Sequence, residues 1–167
     1  ISASPGQPVS GAQGHLSLSA DQADLPVAIA ARFGFIGKGA RLSVAAQDLS
    51  QIPELLRQQV VLVREDGAGR VLEATGVQLP GALDDLYAAA EAERALGATP
   101  GVGKTGFRLW APTARTVSLC LHANGDGRAI ARQDMHRDDN TGIWSATLKE
   151  DLSGHYYTYL VEVFVPG

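Results

Sequence analysis

The sequence predicts an all-β chain, made of two tandem β-sandwich, immunoglobulin-like units joined by a short helical segment. Three observations predict it. Apolar residues alternate with polar ones in short runs, the period of a half-buried strand. Clusters of Gly, Asn and Asp separate the runs, as tight turns require. One longer stretch, residues 83–96, is rich in the helix formers Ala, Leu and Glu. The expected division is residues 1–80 as an N-terminal β-sandwich with a short helix, 81–106 as a helical strap and loop, and 107–167 as a second β-sandwich.

Composition narrows the function classes. The chain has 167 residues, 45% hydrophobic and 19% charged, enough for one domain or two small ones. Its formal charge is −4 with no basic block, so nothing favours a nucleic acid or an anionic membrane surface. No apolar run approaches the ~18 residues of a membrane span. Cys120 is the single cysteine, which excludes an intrachain disulfide and an all-cysteine metal site. A chain that opens on Ile1 rather than Met reads as processed or as a piece of a longer one.

Residues 1–14 hold Pro, Gly, Ser and Gln and read as an irregular lead-in. Leu16 and Leu18 share one face of a short strand. Leu25, Val27 and Ile29 alternate as a second, and Leu42 and Val44 mark a third. In 50–59 the period changes. Ile52, Leu55, Leu56 and Gln59 have helical spacing, and Pro53 is tolerated only in a first turn, so a turn or two of helix is expected. Residues 60–63 and 71–79 are strands joined by Asp66-Gly67-Ala68-Gly69, a hairpin turn. Pro80-Gly81 breaks the pattern, and Asp84 and Asp85 suit the start of the helical stretch. Gly97 is its expected stop, and 98–106 is expected as a loop.

The second unit opens on Phe-Arg-Leu-Trp-Ala-Pro-Thr-Ala-Arg at 107–115. Phe107 and Leu109 point to one side and Arg108 and Trp110 to the other. Pro112 lacks an N–H and marks the strand's end. Strands are expected at 107–110, 117–122, 128–135, 143–148 and 156–165. Asn124-Gly125-Asp126-Gly127 and Asp138-Asp139-Asn140-Thr141-Gly142 supply two of the turns. Five strands with short turns and no long helix fit an immunoglobulin-like sandwich.

The stretch 107–114 resembles the opening strand of the family 48 carbohydrate-binding module, in the version found in pullulanases and limit dextrinases, the starch-debranching enzymes of the α-amylase superfamily. Residues 81–92, Gly-Ala-Leu-Asp-Asp-Leu-Tyr-Ala-Ala-Ala-Glu-Ala, are similar to the segment those enzymes place before the module. Gly142-Ile143-Trp144 and Asp151-Leu152-Ser153-Gly154-His155-Tyr156-Tyr157-Thr158-Tyr159 resemble its later strands. The resemblance covers about 55–165. It implies a parent that hydrolyses α-1,6 branch linkages of pullulan, starch, glycogen or limit dextrin by a retaining mechanism, with a (β/α)8 catalytic barrel as the partner of this segment. It also implies a module that continues for another hairpin beyond Val165, and a bacterial, secreted or periplasmic setting is favoured. Retaining hydrolysis needs two carboxylates about 5–5.5 Å apart. The acidic residues here sit in turns (Asp66, Asp126, Asp138, Asp139) or at a helix start (Asp84, Asp85), so no catalytic residue is expected within this chain.

Sugar sites use aromatic faces against glucose rings, flanked by hydrogen-bonding groups. The candidates are Trp110, Trp144 and Tyr157, with Tyr156 and Tyr159 beside them. The same aromatics equally fit a sandwich core. Other motifs fail on spacing. Gly101-Val102-Gly103-Lys104-Thr105 lacks the glycine a phosphate-binding loop needs, since position 98 is Ala98, and it opens a strand rather than a helix. Counted from Asp138, the twelfth residue of a calcium loop would be the cation Lys149. His15, His122, His136 and His155 have no ligand spacing, and Cys120 has no motif around it. No cofactor or metal is expected. Three functions stay open: a structural support for the barrel that shapes the approach of branched α-glucan, an independent α-glucan-binding module, or a secreted adhesive sandwich with no glycan role.

Overall fold

The computed structural model of the chain describes residues 1–36 and 39–165. Its best-packed part is a sandwich of two antiparallel sheets. Strands β5 (Gly97–Gly101), β6 (Lys104–Trp110), β10 (Ile143–Leu148) and β9 (His136–Arg137) form one sheet in the order β5-β6-β10-β9. Strands β11 (Tyr156–Glu162), β7 (Thr116–His122) and β8 (Ala131–Asp134) form the other, in the order β11-β7-β8. The alternation read from sequence sets which side chains face inward. Phe107 of β6, Val117, Leu119 and Leu121 of β7, and Trp144 of β10 meet in one buried cluster with Ala114 and Met135. Each such large side chain contributes roughly 1.5–3 kcal/mol by leaving water.

The first unit is built differently. Strand β1 (Leu18–Ala20) pairs with β2 (Leu42–Val44), and β3 (Val61–Glu65) pairs with β4 (Val71–Gly76), each as a separate two-stranded ladder. Gly69 supplies the positive φ of the β3–β4 turn, while Asp66 accepts from the N–H groups of Ala68 and Arg70. Between β2 and β3, a 3₁₀ turn at Ala46–Gln51 leads into α2 (Ile52–Leu55), with Pro53 in its first turn. The lead-in is irregular yet anchored: Gly6 donates to the carbonyl of Val71 at 2.8 Å, and Val71 donates to that of Gln7 at 2.9 Å.

The fold is all-β, as expected, but several elements differ from the sequence reading. Residues 25–29 are not a strand. Helix α1 (Val27–Arg32) starts after Pro26, whose carbonyl accepts from Ala30 N–H at 2.9 Å. Its alanines are strong helix formers, and they outweigh an alternation of three apolar residues. The strap is one short helix, α3 (Pro80–Leu86), broken at Tyr87 and followed by a 3₁₀ turn at Ala88–Ala92. Residues 98–106 are not a loop: β5 and β6 make a hairpin, with Pro100 on the outer strand of the sheet, where a missing N–H is harmless. The expected strand 128–135 is β8 alone, shortened to Ala131–Asp134, and β9 follows at His136 in the other sheet. Met135 lies buried at the crossing and donates its N–H to Val117. Strand β11 ends at Glu162, short of the expected 165. The chain's last residues, Pro166 and Gly167, lie outside the described ones.

Candidate functional site

Three aromatic residues are the sequence-derived candidates, and the structure separates them. Trp144 sits in the core cluster at 7% exposure, and its indole N–H donates to the carbonyl of Ala111 at 3.0 Å. It has no open face for a sugar ring. That corrects its candidacy, and the reason is register: Trp144 lies opposite Leu109, on the inward face of the sheet. Tyr157 also turns inward from β11. Its ring meets those of Phe107 and Tyr159 edge-on, at 5.1 and 5.5 Å between centroids. Part of it remains open at the end of the sandwich, beside a small recess of about 140 Å³ with Leu152, Ser153 and His155. Burial, and then the neighbouring Tyr157, push the Tyr159 phenol up to about 12, which keeps it neutral as a wall of this aromatic group. Tyr156 faces the other way and is exposed.

Trp110 stands apart from both. It lies on the outer face of β6 and is 38% exposed. Its indole N–H donates to the carbonyl of Thr141 at 3.0 Å, which fixes the ring in the turn before β10. The strap covers one side of it. Trp110, Ile143, Tyr87, Leu96, Asp84 and Glu91 line a cleft of about 390 Å³.

The cleft exists because the strap is held by specific contacts. Tyr87, 3% exposed, accepts a hydrogen bond on its hydroxyl from Arg137 at 2.9 Å, and the Arg137 guanidinium also lies 5.8 Å from its ring centre. Arg137 is further paired with Asp139. Gly142 has φ +67°, and a Cβ there would come within 2.7 Å of Pro112 and 3.2 Å of the Tyr87 ring. The turn before it is set by Asp138, which accepts from Asn140 N–H and the Thr141 hydroxyl. These hydrogen bonds hold its carboxyl below the usual range. At the strap's other end, Arg32 of α1 reaches Asp84 and Asp85 at 2.7 Å each. Arg57, beside α2, donates to the carbonyls of Ala114 and Arg115 at 2.9 Å each and so ties the first unit to the β6–β7 turn. No sequence motif announced these ties; Tyr87 and Arg137 are fifty residues apart.

The remaining motifs have structural roles. Residues 101–105 are the tip of the β5–β6 hairpin, with no helix after them. His122 bridges the carbonyl of Gly127 and the hydroxyl of Thr158. Cys120 is partly buried on β7.

Comparison with known proteins agrees with this architecture. Residues 1–85 match the model of the pullulanase N2 domain, and residues 95–165 match that of carbohydrate-binding module 48, the isoamylase N-terminal domain. A pullulanase of Klebsiella pneumoniae is 36% identical over 119 residues, 71% of this chain and 11% of the relative. Pullulanase 1, chloroplastic, of Arabidopsis thaliana is 32% identical over 152 residues, 91% of this chain and 15% of the relative. The crystal structure of K. pneumoniae pullulanase complexed with maltotriose superposes with a TM-score of 0.83 at 31% identity, covering 98% of this chain and 15% of that one. The chain thus spans only a small part of the relatives it matches. It belongs to the pullulanase N2 domain family, with a family 48 carbohydrate-binding module following in the same chain.

Proposed function

We propose that this chain is the non-catalytic N-terminal part of a pullulanase-type α-1,6-glucosidase that debranches starch, glycogen or pullulan. In this reading it packs against the (β/α)8 catalytic domain of the same polypeptide and shapes the approach of branched α-glucan. It uses no cofactor. We divide it into the first unit to about residue 80, the strap, and a second unit that takes in β5. One observation carries the reading. The first unit leaves large apolar side chains uncovered in and beside α1, with Val27 at 86% and Phe35 at 83% exposure. Open apolar groups clustered in sequence on a unit with little core of its own suit a surface covered by another domain. The test is to mix the chain with the separately produced catalytic domain and follow assembly by size-exclusion chromatography. We expect a one-to-one complex that Val27→Asp and Phe35→Asp abolish. Independent elution of the two parts overturns the reading.

A second reading, an independent α-glucan-binding module, is favoured by Trp110 alone. Of the two tryptophans it is the one with an open ring. The related K. pneumoniae pullulanase is known as a complex with maltotriose, which makes a malto-oligosaccharide the natural ligand class to try here.

A further inference from the structure

An asparagine followed by glycine is chemically labile, because the next backbone nitrogen can attack the side-chain carbonyl carbon and glycine leaves that nitrogen unshielded. The chain has two asparagines, Asn124 and Asn140, and the structure puts them in opposite situations. Asn124 opens the turn Asn124-Gly125-Asp126-Gly127 in the β7–β8 loop, and all four residues are exposed. Its carbonyl accepts from the Gly127 N–H at 3.2 Å, which closes the turn. Among the described residues, its carboxamide has no hydrogen-bond partner, and neither has the Gly125 N–H. The carboxamide folds over its own turn: a Cβ at Gly127 would lie 3.5 Å from its Oδ1 and 3.7 Å from its Cγ. Asn140, in contrast, precedes the β-branched Thr141. The Asn140 N–H and the Thr141 hydroxyl are both held by the Asp138 carboxylate.

We infer that Asn124-Gly125 is a site of spontaneous modification, which converts to aspartate and isoaspartate and so unlatches the β7–β8 loop from β11. The Gly125 nitrogen bonds to Asn124 Cγ and gives up its proton, the Cγ–Nδ2 bond breaks, and ammonia leaves. Water then opens the cyclic imide. Opening at Cγ gives aspartate. Opening at the main-chain carbonyl gives isoaspartate, whose backbone runs through the side chain and is longer. Water is the one co-reactant. The latch lies beside this turn: His122 bridges the Gly127 carbonyl at 3.0 Å and the Thr158 hydroxyl of β11 at 3.1 Å. A longer backbone at 124 displaces Gly127 from His122, and the new carboxylate stands close to Asp126, whose like charge repels it.

The test is mass spectrometry of tryptic peptides after warm storage of the whole 167-residue chain at neutral pH. Peptide 116–128 carries Asn124 and peptide 138–149 carries Asn140, so one digest reads both. We expect deamidation and isoaspartate in 116–128 and neither in 138–149. Gly125→Ala slows the conversion on the order of tenfold, because a Cβ shields the nitrogen and restricts the backbone. That variant keeps the fold, since Gly125 has no left-handed φ and the added Cβ meets nothing nearer than Tyr156 Cε1, at 3.9 Å. Synthetic peptide 116–128 sets the rate without the fold. An Asn124 that stays intact in the folded chain while the peptide converts overturns the site, and equal conversion of Asn140 overturns the role given to the turn. Hydrogen exchange on the modified fraction, separated by its added negative charge, reads the latch. The amides of 156–158 should lose protection while those of β6 and β10 keep theirs. Equal protection in modified and unmodified chains overturns the unlatching.

Discussion

The two units use the same strand grammar and reach opposite results. In residues 107–162, inward-facing side chains from two sheets meet, and Phe107, Val117 and Leu119 are almost fully buried. In the first unit, β1–β2 and β3–β4 are separate two-stranded ladders, and Leu56 and Val71 are the buried apolar residues of its described part. Two-stranded ladders are marginal alone in water. The first unit therefore depends on what it is tied to: Arg57 on the β6–β7 turn and Arg32 on the strap. Alternation marks a strand; a facing layer is what turns strands into a core.

The comparison breaks most readily in the two hydrophobic sets. Phe107→Ala is expected to cost about 3–5 kcal/mol, the loss of a fully buried ring. Leu72→Ala, on the exposed side of β4, is expected to stay within about 0.5 kcal/mol. Urea denaturation of both variants measures this, and equal losses would remove the distinction between the units. Next comes the junction. Gly142→Ala places a Cβ against Pro112 at a left-handed φ and is expected to cost about 2–3 kcal/mol. Hydrogen exchange in the variant should show the strap loosened around Tyr87 while the β7–β11 amides keep their protection. A uniform loss of protection would mean that the strap and sandwich unfold as one.

A smaller effect sharpens the coupling between units. Arg57→Met keeps the aliphatic stem and removes the two bonds to the Ala114 and Arg115 carbonyls, an expected loss of about 1–2 kcal/mol. Amides of α2 should then exchange faster, and unchanged exchange would show that Arg57 does not anchor the first unit. The smallest effect is in pH. The Tyr159 phenol is raised from 10.0 to about 12 in the folded chain, first by burial and then by Tyr157. Its contribution is therefore fully present below about pH 10 and is lost as pH rises toward about 12, because the unfolded chain gives up that proton first. Denaturation midpoints at about pH 9 and about pH 11 should differ less in Tyr159→Phe than in the parent chain.

The second unit was legible at β6, β7, β10 and β11, where each strand carries its own signal. Phe107 and Leu109 against Arg108 and Trp110 gave the inward face, and the Asn124–Gly127 turn gave the hairpin. Strand β5 was not legible, since Gly97-Ala98-Thr99-Pro100-Gly101 has no apolar alternation and is a strand only through its pairing with β6. Helix α1 was misread because Leu25, Val27 and Ile29 alternate over too short a run to separate the two periods. Of the site candidates, Trp110 and Trp144 look alike in sequence; one is a surface ring and the other core.

The sequence by itself determined the all-β class, most of the turns, the faces of β6, and the family, because these rest on local pattern and motif order. Only the tertiary structure decided that the chain crosses between sheets at Met135, that Tyr87 is drawn under Arg137, and that Asp84, Glu91 and Trp110 share one cleft. Those outcomes depend on contacts between residues tens of positions apart, and local periodicity carries no record of which distant side chain will fill a given space.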